Sequence, residues 1–195
     1  MSTKTQAERS ESTRAALLAA ARKLFAARGY AEVGTEEIVR DAGVTRGALY
    51  HHFAGKKELL AAVYEQIEQE VAEQVSTGVR PDVGALKTLA AGTELFLDRC
   101  LEPEVQQIAL LDAPAVLGWE QWREIGARYG LGLIAALLEA GMESGEIRRQ
   151  PVDPLAHALL GALDEVAMLV ARAEDPATAR AEAGQTLAGL ISGLG

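Results

Sequence analysis

Residues 35–60 read TEEIVRDAGVTRGALYHHFAGKKELL, and the spacing within this stretch decides the fold. Thr35 can cap the free amides of a short helix, and Glu36 and Glu37 complement the positive end of its dipole. Gly43 ends that helix, because glycine enters the left-handed conformation without steric cost. Val44 bridges, and Thr45 caps a third helix that ends near Phe53. Ala54, Gly55, Lys56 and Lys57 then lead into a fourth helix, starting around Lys56 and reaching about Ser76. Helix, a three-residue turn at Ala42, Gly43 and Val44, and a second helix have the spacing of a helix-turn-helix.

The third helix has two unlike halves. On a wheel of about 100° per residue, Arg46, Tyr50, Gly47 and His51 fall within an arc of about 140°. Ala48, Leu49, His52 and Phe53 occupy the opposite arc. One half is cationic and hydrogen-bonding; the other is mostly apolar and faces Ile38, Val39 and Ala42. His51 and His52 do not converge on a metal, since neighbouring helical side chains diverge by about 100°. No cysteine or third histidine lies nearby to complete a zinc shell. No metal site and no cofactor are expected.

Outside this stretch the chain is acidic. Its 195 residues carry a net charge of −9, yet residues 1–58 hold 10 Lys/Arg against 7 Asp/Glu, a balance of +3. Residues 59–195 carry the remaining −12. Such asymmetry fits a chain of which one part meets a polyanion. Cys100 is the single cysteine, so no internal disulfide forms. The first fourteen residues are polar and lack an apolar signal core, and no uninterrupted apolar run is long enough to cross a bilayer. The cytoplasm is the expected compartment, with no membrane partner.

Leu17, Ala20, Ala21, Leu24 and Phe25 follow helical spacing, with Ser12 a plausible cap, Gly29 a stop and residues 1–10 a disordered tail. Prolines divide the remainder into helices expected at 83–101, 104–112, 118–143, 154–173 and 176–193. The fold class is all-α, about nine helices. A helix-turn-helix domain spans 1–58 and a helical bundle spans 59–195.

The polar half of the third helix suits a DNA major groove, whose base edges present acceptors and which admits one helix. Arg46 lies near the helix N-terminus, where recognition helices touch bases, and Gly47 permits close backbone approach. Tyr50 can reach a phosphate, and His51 can donate to phosphate or base. Lys56 and Lys57 open the next helix, where free amides also favour phosphate, and Thr35 offers the same at the second helix.

These residues resemble the DNA-binding region of TetR-like transcriptional regulators. The resemblance covers about residues 12–64 and rests on the second helix opened by Thr35, the Ala42-Gly43-Val44 turn, Gly47, Tyr50, His52-Phe53 and Lys56. It implies a homodimer with a DNA-binding domain and a C-terminal domain that binds a small effector and dimerises. It also implies DNA contacts at Thr35, Thr45, Arg46, Gly47, Tyr50, His51 and Lys56. A repressor released from a pseudo-palindromic double-stranded operator is the expected function. An activator of the same family, and a helical ligand-binding or adaptor protein without DNA binding, are the alternatives. An enzyme is not expected, for the chain lacks a phosphate loop, a dinucleotide-binding glycine pattern and a triad.

Residues 65–195 offer candidates only. Phe96, Cys100, Trp119, Trp122, His157 and Asp164 could line an effector pocket, or simply pack. Few aromatics lie there, so the pocket should be mostly aliphatic and suit a hydrophobic effector. Leu155, Leu159 and Val166 on one helix and Leu187, Leu190 and Ile191 on the next form apolar stripes. Paired across two subunits they would make a four-helix bundle; alternatively they face the subunit's own core.

Overall fold

The computed structural model describes residues 5–195. Among them the chain forms α1 (Gln6–Arg28), α2 (Thr35–Asp41), α3 (Arg46–His52), α4 (Lys56–Gly78), α5 (Ala85–Arg99), α6 (Ala113–Leu117), α7 (Trp119–Ser144), α8 (Val152–Arg172) and α9 (Pro176–Ser192), with no strand. A short 3₁₀ turn, Pro81–Val83, precedes α5. A π-helical segment, Val105–Asp112, runs straight into α6. The helices expected from proline spacing lie within two residues of those found, and only α6 had no counterpart.

The N-terminus departs from expectation. Residues 6–10 belong to α1 and Thr5 caps it, rather than forming a disordered tail, and residues 1–4 of that expected tail lie outside the described residues. Thr5, not Ser12, is the cap: its Oγ accepts from the Glu8 amide at 3.2 Å, and the Glu8 carboxylate accepts from the Thr5 amide at 2.6 Å. This reciprocal pairing satisfies amides that would otherwise be orphaned. Apolar periodicity misses these turns because they are polar on all sides. At α2, Gly34 is the cap and Thr35 is the first helical residue, with no side-chain capping bond.

The turn after α2 is built as its sequence suggests. Gly43 has φ +66°, Val44 N–H donates to Val39 C=O at 3.0 Å, and Gly43 N–H donates to Arg40 C=O at 3.2 Å. These two bonds make a Schellman close, which satisfies the last carbonyls and turns the chain into α3. Thr45 Oγ then accepts from the Ala48 amide at 3.2 Å and caps α3. Leu49 and Phe53 are buried among Leu17, Phe25, Val33 and Ile38. A side chain in the αL region at 43 would strain the backbone, so the register of α3 depends on that glycine.

α4 buries Leu59, Leu60, Val63, Tyr64, Ile67 and Val71 along its length. It runs unbroken through residues 58–59 and contacts α1 near one end and α5 and α7 beyond it. One apolar cluster therefore continues from Leu17 in α1 to Ala167 and Met168 in α8. A second cluster joins α5, α7, α8 and α9 through Leu89, Leu138, Leu160 and Ile191. A third seats Leu97 against Val170, Ala183 and Leu187. α7 and α8 are long and apolar enough to cross a bilayer, with mean hydropathy 1.2 and 1.4. Both pack against each other and against neighbouring helices of the bundle.

Truncating Leu49, which has no exposed surface, removes the anchor between α3 and the rest of its domain. Leu49→Ala should lower unfolding free energy by about 2–5 kcal/mol, measured by chemical denaturation.

Candidate nucleic-acid interface and internal cavity

α3 presents Arg46, Gly47, Tyr50 and His51 to solvent, and Leu49 to the interior. The Arg46 guanidinium lies 5.5 Å from the centre of the Tyr50 ring, a stacking geometry that holds the arginine outward. Arg46 Nη1 also donates to Glu36 Oε1 of α2 at 2.8 Å. Both partners of that pair are more than half exposed, so solvent screens it and another acceptor can displace Glu36. His51 is exposed, and its ring meets that of His52 edge-on at 5.1 Å. Thr45 is exposed at the start of the same helix, with its Oγ committed to the cap.

Both lysines reach back into the protein. Lys56 Nζ donates to Tyr30 C=O at 2.8 Å and Val33 C=O at 2.9 Å, and sits 3.9 Å from the Tyr30 ring centre. Burial pulls its pKa below the ordinary lysine value, opposed by the nearby Asp112 charge. A phosphate contact is the expectation here; in the structure the ammonium clamps the α1–α2 connection. The reason is local: the turn at residues 29–34 leaves two carbonyls within reach of the start of α4. Lys57 Nζ lies 3.4 Å from Leu117 C=O, turned toward the end of α6. Thr35 is half-buried in the first turn of α2.

In the second part of the chain, α4, α5, α7, α8, α9 and the π segment surround a mostly apolar cavity of about 130 Å³. Phe96, Cys100, Trp122 and Asp164 line it. Trp119 and His157 do not. Trp119 is exposed at the start of α7, its ring 5.2 Å from that of Trp122, while Trp122 turns inward and donates its Nε1 to Ala109 C=O at 2.9 Å. His157 is exposed and 3.7 Å from Asp153. A three-residue spacing puts two tryptophans on one side of a helix but leaves open which of them its end leaves in solvent.

The cavity's polar groups were largely missed by sequence. Glu68 lines it, on a helix whose remaining inward positions are apolar. Burial, followed by the Asp164 charge, pushes its carboxyl up to about 7, against a lowering hydrogen bond with Tyr64. Burial likewise pushes Asp164 up to about 6, opposed by its ion pair with Arg123. Burial also raises the Cys100 thiol, which is therefore unreactive. A heptad-like polar position on an amphipathic helix was the one available signal for Glu68. Among the described residues no group of three His, Cys, Asp or Glu side chains is arranged to hold a metal ion.

The apolar stripes of α8 and α9 divide. Leu187 and Ile191 are buried inside the subunit and also line the cavity, so they cannot face a partner. Leu155, Leu159 and Val166 are half-buried against the subunit's own clusters. Leu190 and, on α8, Leu169 are more than half exposed. A leucine stripe carries no mark of which subunit it meets.

Comparison with known proteins places two profiles on the chain. One described as "Tetracyclin repressor-like, C-terminal domain" matches residues 86–194, and one described as "Bacterial regulatory proteins, tetR family" matches residues 17–63. The transposon Tn10 TetC protein of Escherichia coli is 30% identical over 158 residues, 80% of this chain and 79% of that protein. A crystal structure of a TetR-family transcriptional regulator from Pectobacterium atrosepticum is 37% identical, with a TM-score of 0.84 over 98% of this chain and 97% of that one. RolR, solved in complex with resorcinol, shares the fold at 21% identity, with a TM-score of 0.75 over 97% of this chain and 95% of that one.

Lys56→Ala should leave two backbone carbonyls without their partner and lower unfolding free energy by about 1–3 kcal/mol. The salt dependence of duplex binding should change by less than the roughly one unit of slope expected of a phosphate contact. Glu68 holds its proton more tightly folded than unfolded, so its contribution to stability is present below pH 4.5 and lost as pH rises through about 7. Glu68→Gln should therefore raise stability at pH 8 by up to about 3 kcal/mol, with no gain at pH 4, read from melting curves.

Proposed function

The chain belongs to the TetR family of helix-turn-helix transcriptional regulators, and we propose that it is a repressor released from a pseudo-palindromic operator when a small, largely apolar molecule enters the cavity. Residues 1–58 serve as the reading head and residues 59–195 as the sensor and dimerisation unit. The observation that carries this reading is the division of α3: Leu49 is wholly buried while Arg46 and Tyr50 stand exposed and stacked on one another. Arg46 then reads a base edge, Gly47 allows close approach, and Thr45, Tyr50 and His51 reach phosphate or sugar. Thr35 and the start of α4 border the same surface, with Lys56 holding the connection in place rather than gripping a phosphate.

One short helix reads few bases, so a two-fold pair of heads is needed for a specific site. The exposed face of α8 and α9, with Leu169 and Leu190, is the surface on which two copies would join into a four-helix bundle.

The sensor reading draws support from the position of the π segment. Val105, Ala109 and Leu110 line the cavity. Asp112, in the same segment, accepts from the Tyr30 amide at 2.7 Å, and Glu104, at its start, accepts from Arg22 Nε at 2.7 Å. A molecule that displaces this segment therefore moves groups that hold the reading head. The shift in operator affinity equals the molecule's differential affinity for the two arrangements. RolR was solved with resorcinol, a single-ring molecule. A cavity of about 130 Å³ is of the size that holds one ring.

Selection of bound sequences from random duplex DNA supplies the operator. At fixed salt, Arg46→Ala should weaken binding to it by about 5- to 150-fold while changing non-specific binding far less. Equal operator affinity of the variant and the parent would overturn the assignment.

A further inference from the structure

The charges around the cavity do not cancel. Arg123 is matched by Asp164, and Arg99 by Glu102. Glu68 lines the same chamber, and the groups that act on its charge are Asp164, another acid, and the Tyr64 hydroxyl. Among the described residues no Lys or Arg forms an ion pair with it. Glu68 is half-buried, and a carboxylate there without a counter-charge is unfavourable unless it keeps its proton or a cation meets it.

A second observation lies in the same chamber. Arg99 lines it, and the buried Arg99 Nε has no hydrogen-bond partner among the described residues. Since Glu102 already offsets the Arg99 charge, this nitrogen offers a hydrogen bond rather than spare positive charge, and a neutral acceptor rather than an ammonium would take it. A Cβ at Gly126 would lie 3.2 Å from Tyr64 Oη and 3.7 Å from Glu68 Oε2, so α7 approaches Tyr64 and Glu68 closely at this glycine. Among the described residues an anion would find no unpaired cation here, and beside a neutral apolar molecule Glu68 would have to keep its proton.

We infer that the cavity takes a small hydrophobic amine, whose protonated nitrogen rests against the Glu68 carboxylate while its apolar body fills the aliphatic remainder. This rests on the reading of the cavity as the effector site. The titratable groups around Glu68 set the pH dependence: Tyr64 on its own helix, Asp164 on α8, which is itself paired with Arg123 of α7, and Cys100 at the end of α5. Glu68 titrates near 7 and Asp164 near 6, so both gain negative charge as pH rises. An amine that stays protonated throughout should therefore bind more tightly at pH 8 than at pH 6.

Isothermal titration of the full chain with benzylamine, benzyl alcohol and benzoate tests this, because the three share one ring and differ in one group. At pH 8, benzylamine should bind at least about tenfold more tightly than benzyl alcohol, with benzoate weakest. Glu68→Gln, shown folded by its melting curve, should erase the preference and bring the amine and alcohol within about twofold of each other. Absent binding of benzylamine, equal or tighter binding of the alcohol or the acid, or a preference that survives Glu68→Gln would each overturn the inference. Operator release is measured separately. Glu68-dependent amine binding that leaves the operator occupied would sustain the inference and sink the effector-site reading. Release by a neutral or anionic molecule, with benzylamine ignored, would do the reverse.

Discussion

The stripe of apolar side chains on α4 is the constraint on which everything else rests. Leu59 and Leu60 close the base of the reading head, and Val71 reaches the wall of the cavity. Tyr64, almost wholly buried, stands between them. Because the helix is unbroken, a rotation or tilt imposed at one end is carried to the other with little loss. Its apolar contacts run without a break from the helix-turn-helix into the bundle.

Polar contacts then determine how that junction can shift. Arg22 of α1 bridges Glu70 of α4 and Glu104 at the start of the π segment, with Nη1–Oε1 and Nε–Oε1 distances of 2.6 and 2.7 Å. Lys56 ties α4 to the α1–α2 connection at the Tyr30 carbonyl, and Asp112 of the π segment accepts from the Tyr30 amide. The head is thus gripped from α4 and from the π segment at once. Both grips end on elements that also border the cavity, which is the arrangement a ligand-responsive regulator requires.

The fold was largely legible because its signals are local. Gly43, Thr45 and the alternation of Leu49 with Tyr50 fix the turn and the two sides of α3 by backbone sterics, capping and helical period alone. What escaped was whatever depends on distant packing. Nothing in the neighbourhood of Lys56 says that two carbonyls twenty-odd residues earlier will fold within its reach. Trp119 and Trp122 share a spacing, yet only the tertiary fold decides that one points inward. Leu187 and Ile191 have the periodicity of an interface and the burial of a core, and sequence pattern cannot separate those two fates. Glu68 was overlooked because a lone acid on an amphipathic helix ordinarily faces solvent.

The π segment carries an implication of its own. The Ala113 amide bonds to Ile108 C=O, five residues back, so each loop of this stretch holds one residue more than a regular helix would. Such a swelling is one deletion away from ordinary winding. A natural or engineered loss of a single residue between 105 and 112 could be absorbed without breaking the chain's path. It would nevertheless rotate the flanking acids, Glu104 and Asp112, relative to each other. The sequence distance between those two acids is then a tuning length for how the segments on either side of the swelling are set relative to each other.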